Sequence, residues 1–185
     1  MDITINIRSK IIMEAFKGQI KRTDKVLDLG CGNGLMAKKM HEYFGCKIFG
    51  TDIMNYLEWK MPFRQMKGSR LPFSDKEFDV VMINDVLHHC ETCLQLPLVM
   101  EALRVGKNVL VFETKPNLIA KVIDIVLNKI HNPEMPLPLT HRTPIAWSEI
   151  FESKKINYKL MLLKRPFYYP LIHYAFSLSS GIRNT

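Results

Sequence analysis

Three glycines at alternate positions, Gly30, Gly32 and Gly34, follow a carboxylate, Asp28, inside the stretch "VLDLGCGNG" that runs from Val26 to Gly34. Glycine tolerates positive φ and lacks a Cβ, so a turn built this way lets a ligand come close to the main chain. The spacing is not the G-x-G-x-x-G of a dinucleotide site, because the position three after Gly32 is Leu35. Asp28 sharpens the difference. A carboxylate at the end of an apolar run repels a pyrophosphate and attracts an ammonium, directly or through water. Asp52 closes the next apolar run about 20 residues beyond the glycines, a place from which a carboxylate accepts from both hydroxyls of a ribose. These residues describe a ligand with a cationic, amino-acid-like end and a ribose.

Other side chains could act on a second molecule. His88 and His89 follow the run "FDVVMI", Phe78 to Ile83, and a neutral imidazole there could take a proton from a hydroxyl or an amine, with Asp85 beside it. The competing reading is that these residues pack or hold the loop. The run "HHCETC" invites a metal, but ligands crowded into six residues do not easily surround one ion, and structural zinc sites combine separated pairs. We therefore expect no metal, and reduced thiols at Cys31, Cys46, Cys90 and Cys93. His141 and Arg142 lie in "HNPEMPLPLTHRTP", His131 to Pro144, where Arg142 could orient an anionic substrate. Trp147, Ile150 and Phe151 have the spacing of a core helix face.

The elements that must position these groups follow from periodicity. Ile7, Ile11, Ile12, Phe16 and Ile20 recur at near-helical spacing and predict a first helix over residues 1–22, its end punctuated by Gly18, Thr23 and Asp24. Continuous apolar runs at Lys25 to Leu29, Lys47 to Thr51, Phe78 to Ile83 and Asn108 to Phe112 predict strands covered on both faces. Helical spacing predicts helices at Leu35 to Phe44, Leu94 to Val105, Leu118 to Lys129 and Ile145 to Lys154, with Pro97 expected in the first turn of its helix. The four prolines between His131 and Pro144 exclude regular structure there. "YKLMLLK" and "IHYAFSLS" predict a terminal hairpin. Alternating strands and helices of this kind imply a doubly wound, mostly parallel α/β sheet with helices on both faces and an antiparallel edge.

A chain of 185 residues, 47% hydrophobic and 24% charged, fits one globular domain spanning 1–185. No apolar run reaches the roughly 18 residues of a membrane span, and the first residues lack a signal-peptide pattern, so a cytoplasmic location is expected. The net charge of +8 raises the question of an acidic partner, yet the cations are scattered from Arg8 to Arg183. That scatter favours a basic solvated surface over a nucleic-acid footprint. Oligomeric state is not legible.

Taken in order, "VLDLGCGNG", Asp52 in "IFGTD", "LPFSDKEFDVV" from Leu71 to Val81, "NDVLHH" and "EALRVGKNVLVFE" resemble the motifs of class I S-adenosylmethionine-dependent methyltransferases, within them the small type 11 domain group. The resemblance implies a Rossmann-like sheet of seven strands and S-adenosyl-L-methionine as cofactor. It implies a cofactor cradle of Asp28, Gly30, Cys31, Gly32, Asn33, Gly34, Asp52, Ile53, Gly68, Ser69 and Asn84. Asp85, His88 and His89 become the catalytic candidates and His141 and Arg142 the substrate contacts, with residues 131–144 as a substrate lid. The expected acceptor is a small molecule. A noncatalytic module that kept the fold is the alternative, and a nucleic-acid methyltransferase comes third. The chain departs from the family pattern twice. The segment between Asp52 and Leu71 is short and contains Pro62, so its usual helix should be reduced or missing. Lys67 stands where an acidic residue commonly meets the adenine amino group, a loss worth about 1.5 to 3 kcal/mol if nothing replaces that hydrogen bond.

Overall fold

Strands that read as unbroken apolar runs need a partner layer on each side, and successive side chains supply it by pointing alternately to the two faces. The computed structural model describes residues 3–131 and 138–179. Its elements are α1 (Ile3–Phe16), β1 (Lys25–Leu29), α2 (Leu35–Phe44), β2 (Lys47–Asp52), β3 (Phe63–Gln65) and β4 (Phe78–Asn84). A 3₁₀ turn (Leu87–His89), α3 (Thr92–Val105), β5 (Gly106–Thr114), α4 (Leu118–His131), α5 (Pro144–Ser153), β6 (Asn157–Leu162) and β7 (His173–Ser179) complete it. One seven-stranded sheet runs β3-β2-β1-β4-β5-β7-β6. The first five strands in that order are parallel, and β7 lies antiparallel to both β5 and β6.

The alternation divides the core in two. Leu27, Val81, Ile83, Val109, Val111 and Phe176 face α3 and α5, packing with Val99, Ala102, Trp147 and Phe151. Val26, Val80, Met82, Leu110, Phe112 and Ala175 face α1, α2 and α4, packing with Ile12, Phe16, Met40 and Ala120. The chain works outward from β1 through β2 to β3, then returns to β4 on the other side of β1. That reversal opens a crevice at the carboxyl ends of β1 and β4, the usual ligand position in such sheets.

The doubly wound sheet and the antiparallel terminal pair agree with expectation. Several boundaries do not. The first helix stops at Phe16 rather than reaching residue 22: Gly18 turns at φ +78° and the Gln19 amide donates to the Phe16 carbonyl at 2.9 Å. Strand β3, only three residues long, supplies the seventh strand that the resemblance implies but that no apolar run located. Helix α3 starts at Thr92, which places Pro97 beyond its first turn. Strand β5 runs two residues past Phe112, and those residues, Glu113 and Thr114, enter the site. No helix forms across residues 53–62, as the short segment implied. The proline-rich stretch begins and ends in helices: His131 closes α4, and Pro144 opens α5 behind Thr143, whose hydroxyl accepts from the Ala146 amide at 3.1 Å. Residues 138–143 are irregular, and 132–137, the middle of the expected lid, lie outside the described residues.

Candidate functional site

Beyond Leu29 the chain folds back on β2, the Gly30 and Cys31 amides donating to the Thr51 carbonyl at 2.8 and 3.3 Å. The glycines then serve different ends. Gly30 has φ +74°, and a Cβ on it would stand 2.5 Å from Val86 Cγ2, so its bare side is filled by protein. Gly32 has φ +50° and nothing within 4 Å of a Cβ position, so its bare side is open. Gly34, at φ +78°, caps α2 and packs against Leu57. Asn33 accepts from the Glu58 and Trp59 amides at 2.9 and 3.3 Å through its carbonyl, which lays the segment after Asp52 over this turn.

Two carboxylates face the crevice. Asp28 is only 2% exposed, between Gly50 on β2 and Met82 on β4. Burial pushes its pKa up to about 7; the hydrogen bond from Asn84 Nδ2, at 3.4 Å, lowers it and the Asp52 charge raises it further. The other end of that amide, Asn84 Oδ1, is buried without a hydrogen-bond partner among the described residues. A half-protonated carboxyl beside an unsatisfied carbonyl oxygen is an acceptor pair awaiting a cationic donor, and an ammonium group satisfies both. Asp52 accepts from the Gly32 amide at 2.9 Å and the Ile53 amide at 2.7 Å. Burial raises its pKa and those two bonds lower it. Each of its oxygens keeps a second lone pair for a diol. The Met66 amide donates to the Asp52 carbonyl at 2.9 Å, bringing the turn of Lys67, Gly68, Ser69 and Arg70 beside it. Gly68 is exposed at φ +59°. The Cys31 thiol is pushed far up by burial and by Asp28 and Asp52, so it stays protonated.

Past β4 lies a second cluster. Asp85, at φ +55°, ion-pairs with Arg8 of α1 at 2.5 Å and accepts from the Thr114 hydroxyl at 2.9 Å. Burial opposes its charge, but Arg8, His173 and His88 outweigh it and hold the carboxyl below the usual range. Thr114 Oγ1 in turn lies 3.1 Å from His173 Nδ1. Glu113 Oε1 accepts from the Val86 and Leu87 amides at 3.2 and 2.8 Å, while Oε2 lies 2.6 Å from His88 Nδ1. The His88 ring packs against His89 and lies stacked on His141, with centroids 4.1 and 4.3 Å away. His141 is held there because the Thr140 amide donates to the His88 carbonyl at 2.9 Å and Gln95 Nε2 donates to the Thr140 carbonyl at 2.9 Å. Arg142 is held by the same glutamine, its Nε donating to Gln95 Oε1 at 2.6 Å and its guanidinium lying over Trp147.

Sequence reasoning missed Arg8, Glu113, Thr114 and His173. Glu113 had a usable signal: like Asp28 and Asp52, it is a lone acid closing an apolar run. Asp85, His88 and Glu113 offer ligand atoms within 4.8 Å of one another. A divalent ion there would have to share Asp85 with the Arg8 guanidinium, a like-charge contact. The cysteines of "HHCETC" do not join this group: Cys90 Sγ lies 3.5 Å from the Val86 carbonyl, and Cys93 is exposed.

Residues 27–112 match the family of methyltransferase domains. A curated relative, sterol 24-C-methyltransferase from Kluyveromyces lactis, is 29% identical over 91 residues, a match covering 42% of this chain and 24% of that protein. The chain thus spans about a quarter of that relative's length. Among solved structures, a SAM-dependent methyltransferase from Archaeoglobus fulgidus is similar with a TM-score of 0.67 at 15% identity, over 97% of this chain and all of that one. Burkholderia thailandensis 1,6-didemethyltoxoflavin-N1-methyltransferase, with bound 1,6-didemethyltoxoflavin and S-adenosylhomocysteine, is similar with a TM-score of 0.69 at 16% identity, over 97% of this chain and 79% of that one.

Proposed function

We propose that the protein transfers a methyl group from S-adenosylmethionine to a small-molecule acceptor, a reading supported by the match of residues 27–112 to methyltransferase domains and by a fold similar to that of a SAM-dependent methyltransferase. The buried acceptor pair of Asp28 and Asn84 Oδ1 is the observation that carries this reading. When bound, the cofactor supplies a methyl group already activated on a sulfonium. The protein's share is to bind, orient and handle a proton. Asp28 and Asn84 bind the ammonium end, Gly32 lets the ligand reach the main chain, and Asp52 accepts from the ribose hydroxyls. With Glu113 holding the Nδ1 proton of His88, the neutral ring carries its lone pair on Nε2, and the Glu113 charge favours the imidazolium once a proton arrives. His88 is 2% exposed, with the half-buried rings of His89 and His141 packed against it.

The test is calorimetric titration with S-adenosylhomocysteine followed by transfer of a labelled methyl group to a panel of small hydroxyl and amine compounds. Micromolar binding with transfer supports the proposal; absence of binding overturns it. A noncatalytic module is the second reading, favoured by one observation. Residues 53–70 contain a single carboxylate, Glu58, and it accepts from Asn33 rather than standing at Lys67, where the adenine edge would need it. Cofactor binding without transfer to any acceptor would select that reading.

A further inference from the structure

Helix α4 has two apolar faces where a surface helix normally has one. Ala120 is fully buried, and Ile123 packs in the same cluster as Tyr169 and Leu171, so this side is joined to the core. Leu118, Ile119, Val122, Ile125 and Val126 fall at i, i+1, i+4, i+7 and i+8, one continuous stripe, and all are exposed, Leu118 by 79%. The segment between β6 and β7 extends the apolar surface. The Lys115 amide donates to the Ile172 carbonyl at 2.7 Å, so the start of α4 adjoins this segment, which exposes Phe167 by 96% and Tyr168 by 65%. Basic side chains accompany it: residues 115–126 and 162–172 contribute Lys115, Lys121, Lys164 and Arg165 against one acid, Asp124, in a chain of net charge +8.

We propose that this face docks on an anionic lipid bilayer surface, with α4 lying in the interface plane. The charge selects the occupant. A second copy of this chain would bring the same cations face to face, whereas anionic headgroups complement them. An apolar stripe flanked by lysines, with an aromatic pair alongside, is the composition of an interfacial helix. No helix among the described residues is long and apolar enough to cross a membrane, so α4 rests on the bilayer rather than spanning it. Leu118 lies four residues beyond Thr114, which binds Asp85 in the site, so docking sets the mouth of the crevice at the lipid surface. The consequence that the acceptor is an amphipathic molecule drawn from the bilayer rests on the methyltransferase reading; the docking does not.

The test is flotation of the purified full chain with vesicles of phosphatidylcholine alone, and with about one quarter phosphatidylserine. The chain should float with the phosphatidylserine vesicles, float poorly with neutral ones, and detach in high salt. Replacing Leu118→Ser, Val122→Ser and Val126→Ser together should abolish flotation while leaving thermal melting unchanged. Replacing Lys164→Gln and Arg165→Gln should weaken binding roughly fivefold per charge removed. No flotation of the unaltered chain, or equal flotation of the triple variant, overturns the proposal. So does a dimer in sedimentation equilibrium that Leu118→Glu dissociates, since the occupant is then a second copy. S-adenosylhomocysteine titration on the same samples separates the two readings. Binding of that compound without flotation removes the docking alone, and flotation without its binding removes the methyltransferase reading alone.

Discussion

Replacing Asp28 with asparagine should make the ligand-free protein more stable at pH 8 and remove most of its affinity for S-adenosylhomocysteine. The folded-state pKa of Asp28 is about 7 against an ordinary value of 3.8, burial being the cause. The native state therefore binds more protons than the unfolded chain between those values, and stability falls as pH rises through that window. Multiplying the difference by the free energy of one pKa unit gives a penalty on the order of 4 kcal/mol, complete above pH 7 and absent below pH 4. Asparagine carries no charge and escapes it. The urea midpoint of the variant should thus pull ahead of the parent's progressively from pH 4.5 to pH 8. Ligand binding runs the opposite way, because an ammonium needs the ionised carboxylate. Affinity of the parent for S-adenosylhomocysteine at pH 8 should fall about tenfold by pH 6 and about a hundredfold by pH 5, while the variant binds weakly and without that slope. Calorimetry in buffers of different ionisation enthalpy would detect the proton released at pH 6. A parent affinity that is flat from pH 5 to pH 8, together with a variant less stable at pH 8, would refute the assignment of Asp28 as the cation's partner.

Gly30→Ala should cost about 2 to 4 kcal/mol in thermal or urea unfolding, since the methyl meets Val86 and φ is positive, whereas Gly32→Ala should cost only about 1 kcal/mol of strain and act mainly on S-adenosylhomocysteine affinity. Arg8→Ala leaves Asp85 charged, buried and without its cation, a loss of about 3 kcal/mol by urea denaturation; Arg8→Met combined with Asp85→Asn should recover most of it. Glu113→Gln should leave S-adenosylhomocysteine affinity unchanged and slow methyl transfer by up to about a hundredfold, as the His88 imidazolium loses its counter-charge. A rate that survives this change removes His88 from the proton's path.

The parallel part of the sheet could be read in the sequence because its longer strands are mostly apolar runs, and such runs have few alternatives once helices alternate with them. Asp28, Asp52 and Gly32 were legible for the same reason, as polar or bare positions that interrupt a strong local pattern. Arg8 and His173 were not. Nothing within ten residues of Arg8 marks it as the partner of an aspartate 77 positions away; only packing α1 against the end of β4 brings them together. Gly30 shows the reverse limit. Its type and spacing suggested a ligand, yet the atom that fills its open side belongs to Val86, a residue whose position depends on where β4 stops. The short strand β3 escaped notice because three residues carry too little periodicity to separate from a loop.

The order β5-β7-β6 also governs how the chain can be assembled. Strand β6 emerges before β7 but pairs with β7 alone, so it has no place on the sheet when it is made. Until residues 173–179 arrive, β5 presents an open row of amides and carbonyls along "NVLVFET", one of the most apolar strands in the molecule. Such an edge is a template for pairing with another chain, and among the described residues it is closed by β7. Truncations that remove β7 should therefore aggregate rather than yield a smaller folded domain, even though every residue of the proposed cofactor cradle would still be present.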